Sequence, residues 1–141
     1  MTGKILIFLV ILSFFHMVLP VYAGPELVNI VVPATGQTFR VRVIIEPNGR
    51  VLAPLRTIIE ALGKVDIQWE PEEGMVTATT AEHWCQCWIG KNKATADGES
   101  VYLDTPPFTY NGRTYVPLRF IGESLGKQVE WDYMNKAVTI K

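Results

Sequence analysis

The chain has 141 residues and a formal net charge of -1, with 13 Lys and Arg against 14 Asp and Glu. Because the basic residues are scattered among the acids, the sequence offers no basic stripe to nucleic acid. Hydrophobic residues make up 48% of the chain, which excludes a disordered protein of the usual polar composition.

Residues 1–23 have the pattern of a signal peptide. Lys4 precedes an apolar run from Ile5 to Leu19, and Val21-Tyr22-Ala23 places a small residue at the cleavage point. We expect cleavage before Gly24, a secreted or cell-envelope location, and no membrane span afterwards. The alternative is an uncleaved anchor, because the apolar run approaches the length that spans a bilayer. The remaining residues, 24–141, suffice for one domain.

Turn signals divide the rest of the chain into short segments. Asn-Gly and Asp-Gly pairs accept positive φ at low cost and suit hairpin loops. Between the turns lie runs rich in Val, Ile, Tyr, Phe and Thr, which predict mostly antiparallel strands. The predicted turns are Pro33–Gly36, Asn48-Gly49, Glu73-Gly74, Asp97-Gly98, Asn111-Gly112 and Asn135-Lys136. The predicted strands are Glu26–Val32, Thr38–Ile45, Val65–Trp69, Met75–Thr79, Trp84–Ile89, Ser100–Leu103, Phe108–Tyr110, Val129–Trp131 and Ala137–Ile140.

Two segments, Pro54–Gly63 and Pro117–Gly126, are predicted to be short helices. Each opens at a proline, which suits the first helical position, and closes at a glycine, which suits the residue past the end. Each has one apolar face and is too short to be stable alone, so a sheet must hold it. The apolar positions are Leu55, Ile58, Ile59 and Leu62 in the first helix and Leu118, Ile121 and Leu125 in the second.

The region from Asn48 to Lys64 is repeated sixty-three positions later, from Asn111 to Lys127. The first copy reads NGRVLAPLRTIIEALGK and the second reads NGRTYVPLRFIGESLGK. With the tryptophan and the Val-Thr pair that follow, there are fourteen identities over about thirty aligned positions, too many for chance. We therefore predict an internally duplicated α+β domain, mainly antiparallel hairpins wrapped on two short helices, with pseudo-repeats at about 26–80 and 81–141.

Each predicted helix carries an arginine and a glutamate four residues apart. These pairs are Arg56 with Glu60 and Arg119 with Glu123. An exposed pair of this kind contributes only about 0.3–0.5 kcal/mol, so the repetition needs another reason. We expect these arginines to bind backbone groups of the neighbouring hairpin as well, with Arg50 and Arg113 as further candidates. The alternative is an arginine that receives a carboxylate ligand.

The pattern N-G-R-x-x-V-P-L-R-x-I-x-E-x-L-G, followed by V-x-W-D and V-T-I, resembles the copper amine oxidase N-terminal domain family. The second copy matches from Asn111 to Ile140, and the first matches more loosely, with Ala53 in the valine place. Ile89-Gly90 and Tyr102–Pro107 also resemble the family. The resemblance implies a small antiparallel sheet wrapped round a helix, in a non-catalytic module of secreted and cell-envelope bacterial proteins.

The histidine count argues against catalysis. A copper amine oxidase site needs three histidine ligands, whereas residues 24–141 contain a single histidine, His83. His83 would also have to be the only imidazole base of a Ser-His-Asp or Cys-His hydrolase. We expect no enzyme activity and no cofactor.

Two cysteines, Cys85 and Cys87, share one face of a predicted strand with His83. The resemblance implies that this face, which also carries Ile89, is the inner one, so the cysteines would replace buried aliphatic residues. Three alternatives are a strained disulfide between the two cysteines, a metal site formed by His83, Cys85 and Cys87, and an intermolecular bridge. The metal site would need a fourth ligand from elsewhere.

Trp84, Gln86 and Trp88 share the opposite face of that strand. If this face is outermost, the two tryptophans form a flat aromatic strip of the kind that stacks on sugar rings. The alternative is a second layer that covers them, since large aromatic residues are mostly buried. Trp69 and Trp131 occupy the same place in each copy, and we expect both to have a structural role and to pack on the helices.

The sequence therefore predicts a secreted, non-enzymatic module for binding, scaffolding or cell-envelope association, with an extracellular protein or a cell-wall glycan as its partner. Two alternatives stay open. One is a small secreted metal or thiol protein that uses His83, Cys85 and Cys87. The other is an inhibitor or accessory subunit of another secreted protein.

Overall fold

The computed structural model describes residues 24–141, so the predicted signal peptide lies outside the described residues. The described region contains twelve strands and two short helices. The strands are β1 (Glu26–Val32), β2 (Gln37–Ile45), β3 (Val51–Pro54), β4 (Asp66–Glu70), β5 (Met75–Thr79), β6 (Trp84–Trp88), β7 (Lys93–Ala96), β8 (Glu99–Tyr102), β9 (Phe108–Tyr110), β10 (Arg113–Pro117), β11 (Val129–Asp132) and β12 (Ala137–Ile140). The helices are α1 (Leu55–Leu62) and α2 (Leu118–Ser124).

The predicted strands are confirmed, each to within one residue at either end. Three further strands, β3, β7 and β10, are not predicted. β3 and β10 are short and run directly into a helix at a proline, so no separate strand signal stands out. β7 reads KATA and has a single β-branched residue, which gives it little strand propensity.

The strands form two sheets. One has seven strands in the order β11-β12-β1-β2-β3-β10-β9, and the other has five in the order β4-β5-β6-β7-β8. Within residues 24–141, β1 and β12 pair in parallel and every other pair is antiparallel. The predicted α+β class with mainly antiparallel strands is therefore confirmed.

Both helices lie within the predicted segments, but neither proline is the first helical residue. Pro54 and Pro117 end β3 and β10 with extended ψ of 129° and 112°, and each helix begins one residue later. Gly63 and Gly126 follow the helices with φ of 82° and 83°, in the left-handed region that glycine adopts at low cost. Ile58 of α1 and Ile121 of α2 are at most 1% exposed, which confirms that the apolar helix faces are held by the sheets.

One hydrophobic cluster joins both sheets and both helices. Its members include Ile30 of β1, Ile58 of α1, Cys87 of β6 and Ile121 of α2, none more than 1% exposed. A smaller cluster around Leu52 lies apart from it, near the β9 edge of the seven-stranded sheet. The two sheets therefore close on the helices around a shared core, and each sheet keeps a second face that is directed away from it.

The two sequence copies meet where β3 pairs with β10. Ala53 lies opposite Val116, which is its equivalent in the other copy. An antiparallel pair with equivalent residues opposite each other has a local two-fold axis. This arrangement brings the Asn-Gly-Arg turn of each copy to the helix of the other copy. Each turn and the helix beside it line a cleft, so the domain has two such clefts. The duplication itself stays a prediction.

The two tryptophans that the sequence predicts to pack alike differ. Trp131 packs against the main core, whereas Trp69 is 45% exposed, so the expected packing on a helix does not hold for Trp69. The helices also differ at one position that faces these strands. Gly122 lets α2 pack closely on β11, whereas the equivalent residue of α1 is the bulkier Ile59, and α1 packs on β1, β2, β3 and β10 instead.

Candidate binding face

The five-stranded sheet directs one face to the core and the other, called here the outer face, away from it. Residues opposite each other in a sheet share a face. Val76, Cys87 and Ala94 are paired across three strands and are at most 1% exposed, which defines the core side. The adjacent row, called here the polar row, lies on the outer face. It consists of Gln68, Thr77, Gln86, Thr95 and Ser100, one from each strand in sheet order.

The polar row contains only amide and hydroxyl side chains. The Gln86 Nε2 donates a hydrogen bond of 3.2 Å to the Thr77 Oγ1, which links two neighbouring strands on the outer face. Amides and hydroxyls both donate and accept hydrogen bonds, so the row can serve a ligand of mixed donors and acceptors. Sequence reasoning singled out Gln86 and missed its four neighbours, because their alignment depends on the register of all five strands.

Trp84 and Trp88 lie on either side of Gln86 along β6, on the outer face. Trp84 is 36% exposed and Trp88 is half-buried. They are four positions apart, which corresponds to roughly 13 Å along an extended strand. The Trp84 ring reaches the β7–β8 turn. Its Cζ2 lies 4.0 Å from the point that a Cβ atom would occupy if Gly98 carried a side chain. The structure thus places the three residues of the predicted strip on one outward face.

Charged residues lie at the margin of the outer face. Asp66 and Glu70 occupy the two ends of β4, and Lys93 begins β7. Tyr102 lies opposite Lys93 and is 76% exposed, which adds another aromatic ring at the β8 edge. The centre of the face is therefore aromatic and polar without net charge.

The β7–β8 turn anchors the beginning of β6. The His83 Nδ1 lies 2.8 Å from the Asp97 Oδ2, and the Trp84 N–H donates to the Asp97 Oδ1 at 2.9 Å. The Trp84 N–H, and after it the His83 ring, hold the pKa of the Asp97 carboxyl below its ordinary value of 3.8. Asp97 thereby fixes the backbone from which the Trp84 side chain extends.

The Asp97 contacts predict an acid-dependent loss of stability. A carboxyl whose pKa is lowered by folding stabilises the protein above its ordinary pKa of 3.8, and this contribution disappears as the pH falls through the lower folded value. In Asp97→Asn, which has no charge to lose, that part of the pH dependence should be absent. Denaturant unfolding of both proteins from about pH 7 to below the ordinary carboxyl pKa measures the difference. Parallel stability curves would contradict the assignment.

Cys85 and Cys87 lie on the core side of β6, as the resemblance implies. Both are free thiols with no exposed surface, and burial raises the pKa of each to about 12. The His83 ring binds Asp97, and within residues 24–141 it forms no hydrogen bond with either thiol. Within residues 24–141, no three His, Cys, Asp or Glu side chains are grouped so that they could hold a metal ion.

The repeated arginines make different contacts in the two copies. The Arg119 Nη1 lies 3.5 Å from the Glu123 Oε1, and the Arg50 guanidinium binds the Asp104 carboxylate. Among the described residues, neither Arg56 nor Arg119 donates a hydrogen bond to the backbone, so the expected bonds to the neighbouring hairpin are not formed. Instead, it is the Asn-Gly-Arg turn of the first copy that binds side chains: the Asn48 Nδ2 donates to the Thr105 Oγ1 at 3.0 Å.

Among residues 24–141, no helix has the length and hydropathy needed to cross a membrane. None of the curated proteins compared matches this chain. A family model described as copper amine oxidase N-terminal domain matches residues 31–140, and this domain is a non-catalytic module. Because the match covers most of the sequence, the chain belongs to the copper amine oxidase N-terminal domain family.

Proposed function

We propose that this module binds an uncharged polysaccharide through the outer face of its five-stranded sheet, without catalysing a reaction. The observation that carries the proposal is the position of Trp84 and Trp88 on either side of Gln86 in the polar row. A sugar ring has an apolar C–H face and hydroxyl groups that both donate and accept. Indole rings stack on the C–H face, and amide and hydroxyl side chains bind the sugar hydroxyl groups.

The distribution of charge supports an uncharged ligand. All five side chains of the polar row are neutral, and the ionised residues Asp66, Glu70 and Lys93 lie at the ends of strands. An ionic ligand across the centre would lose its hydration without gaining a partner of opposite charge. A neutral sugar chain loses only hydroxyl hydration, which the row can replace.

The spacing of the tryptophans indicates the size of the ligand. The separation of roughly 13 Å along β6 exceeds the reach of a single sugar ring, so an oligosaccharide is needed to contact Trp84 and Trp88 together. Affinity should therefore rise with chain length until both rings are covered.

The location of the module follows from the same proposal. The signal-like composition of residues 1–23 supports export from the cytoplasm. Outside the cytoplasm, a cell-wall glycan is an accessible neutral partner. The thiol or metal alternative has no support from the described residues, because both thiols are buried and His83 is bound to Asp97. A role as an inhibitor or accessory subunit would require a protein partner instead of a glycan.

Trp84→Ala and Trp88→Ala should each weaken oligosaccharide binding by about tenfold, because each removes one stacking surface. The measurement is calorimetric titration of the protein with cello-oligosaccharides and chito-oligosaccharides, from the disaccharide to the hexasaccharide. The wild-type protein should bind the longer members more tightly than the disaccharide, and the single variants should lose most of that length dependence.

Trp69→Ala is the matched control, because Trp69 is also exposed but belongs to a row on the core side of the sheet. This variant should bind each oligosaccharide as tightly as the wild-type protein. Equal losses from Trp69→Ala and Trp84→Ala would contradict the proposed face. The absence of binding to both oligosaccharide series would also contradict the proposal.

A further inference from the structure

The pairing of β3 with β10 creates two equivalent clefts, one beside each helix. The α1 cleft lies between α1 and the second Asn-Gly-Arg turn, and it includes Arg56, Glu60 and Arg113. The α2 cleft lies beside α2 and includes Arg119, Glu123 and the arginine of the first turn, Arg50. The volumes are about 600 Å³ for the α1 cleft and about 390 Å³ for the α2 cleft. The residues that the sequence repeats therefore line both clefts.

The two clefts differ in how their arginines are neutralised. In the α2 cleft, Arg50 is bound to Asp104 and Arg119 lies beside Glu123, so both guanidinium groups have acidic partners within the protein. In the α1 cleft, neither Arg56 nor Arg113 forms an ion pair with any residue of the described region, 24–141. The α1 cleft therefore has two unmatched cations and one carboxylate, Glu60, which leaves a formal excess of one positive charge.

The remaining walls of the α1 cleft suit a small organic ligand. Leu55 and Ile59 supply half-buried apolar surface, and Thr57 and Thr114 supply hydroxyl groups. A volume of about 600 Å³ falls in the range of small-molecule sites. Guanidinium groups bind carboxylates through two parallel hydrogen bonds, which gives such a site both attraction and orientation.

We propose that the α1 cleft binds a ligand with a single carboxylate, held by Arg56 and Arg113, while Glu60 accepts from a hydroxyl or amide group of the same ligand. The single charge matches the formal excess in the cleft. Such a carboxylate could belong to a peptide C-terminus or to an acidic sugar. This site is separate from the outer face and does not depend on the glycan proposal.

The test is a titration followed by amide chemical shifts, with two pairs of probes. The first pair is acetyl-alanyl-alanine and its C-terminal amide, and the second is galacturonate and galactose. We expect the carboxylate member of at least one pair to shift the amides around Arg56 and Arg113, with at least about tenfold tighter binding than its neutral partner. The pair that responds identifies the source of the carboxylate.

The matched variants are Arg56→Gln with Arg113→Gln for the α1 cleft and Arg50→Gln with Arg119→Gln for the α2 cleft. The first double variant should lose at least about tenfold in affinity, and the second should stay within about twofold. Arg113→Lys keeps the charge and should give an intermediate loss, because lysine lacks the planar fork. The proposal is overturned if neither carboxylate binds, if the neutral probes bind equally well, or if both double variants lose affinity alike.

Discussion

The two thiols of the folded protein should react with a chromogenic disulfide reagent at least about a thousandfold more slowly, at about pH 8, than the thiols of the denatured chain. The reacting species is the thiolate, and burial raises the pKa of Cys85 and Cys87 from 9.0 to about 12. A rise of that size lowers the thiolate fraction about a thousandfold. The lack of exposed surface at both residues slows the reaction further, because the reagent cannot approach the sulfur atoms.

A cysteine at Ser100, an exposed position of the polar row, supplies the matched control. In Ser100→Cys, one added thiol should react at nearly the rate of the denatured chain while the two native thiols stay protected. Fast reaction of the native thiols in the folded protein would favour a thiol-active function. Fewer than two thiols after denaturation would indicate a disulfide.

The same pKa shifts predict how stability changes in alkali. A group whose pKa is higher in the folded state contributes its full stabilisation below its unfolded pKa, here 9.0, and loses it as the pH rises through the folded value of about 12. The unfolded chain releases its thiol protons first, so the free energy of unfolding should fall above pH 9.0. Cys85→Ala should flatten part of this fall.

Local signals in the sequence were sufficient for most of the fold. Proline and glycine set the helix ends, Asn-Gly and Asp-Gly pairs set hairpin turns, and the alternation in β6 separated Cys85 and Cys87 from Trp84 and Trp88. Each of these features is decided within a few residues, because backbone preference and the two-residue period of a strand are local properties.

Features that depend on contacts between distant segments could not be predicted in this way. The polar row requires the register of five strands, and the α1 cleft requires β3 to lie beside β10 with Ala53 opposite Val116. The neutralisation of Arg50 by Asp104 depends on a loop fifty-four positions away. The repeat marks Arg50, Arg56 and Arg113 as candidates. No local pattern shows which of them lies beside a carboxylate, because that depends on the pairing of distant segments.

Gly122→Ile should lower the free energy of unfolding by about 3 kcal/mol, because it gives α2 the side chain that α1 carries at Ile59. Even a Cβ atom at position 122 would lie 2.6 Å from the Val129 Cγ2, closer than two carbon atoms can approach. Val129 is only 7% exposed and its β-branched side chain has little rotamer freedom, so it cannot move aside cheaply. The better helix propensity of isoleucine over glycine, a few tenths of a kcal/mol, offsets little of this cost.

Two further variants isolate the contact between α2 and β11. The first is Gly122→Ala combined with Val129→Ala. Val129→Ala removes the methyl groups that a Cβ atom at position 122 would strike, so this double variant should lose less stability than the sum of its two single variants. Ile59→Ala, at the equivalent position of α1, should cost about 1 kcal/mol or less, because that side chain is only partly buried. Chemical denaturation of all variants supplies the comparison. If Gly122→Ile were as stable as the wild-type protein and Trp131 stayed packed on the core, the difference between Trp131 and Trp69 would need another cause. Retained stability together with a newly exposed Trp131 would show that the second copy can adopt the packing of the first.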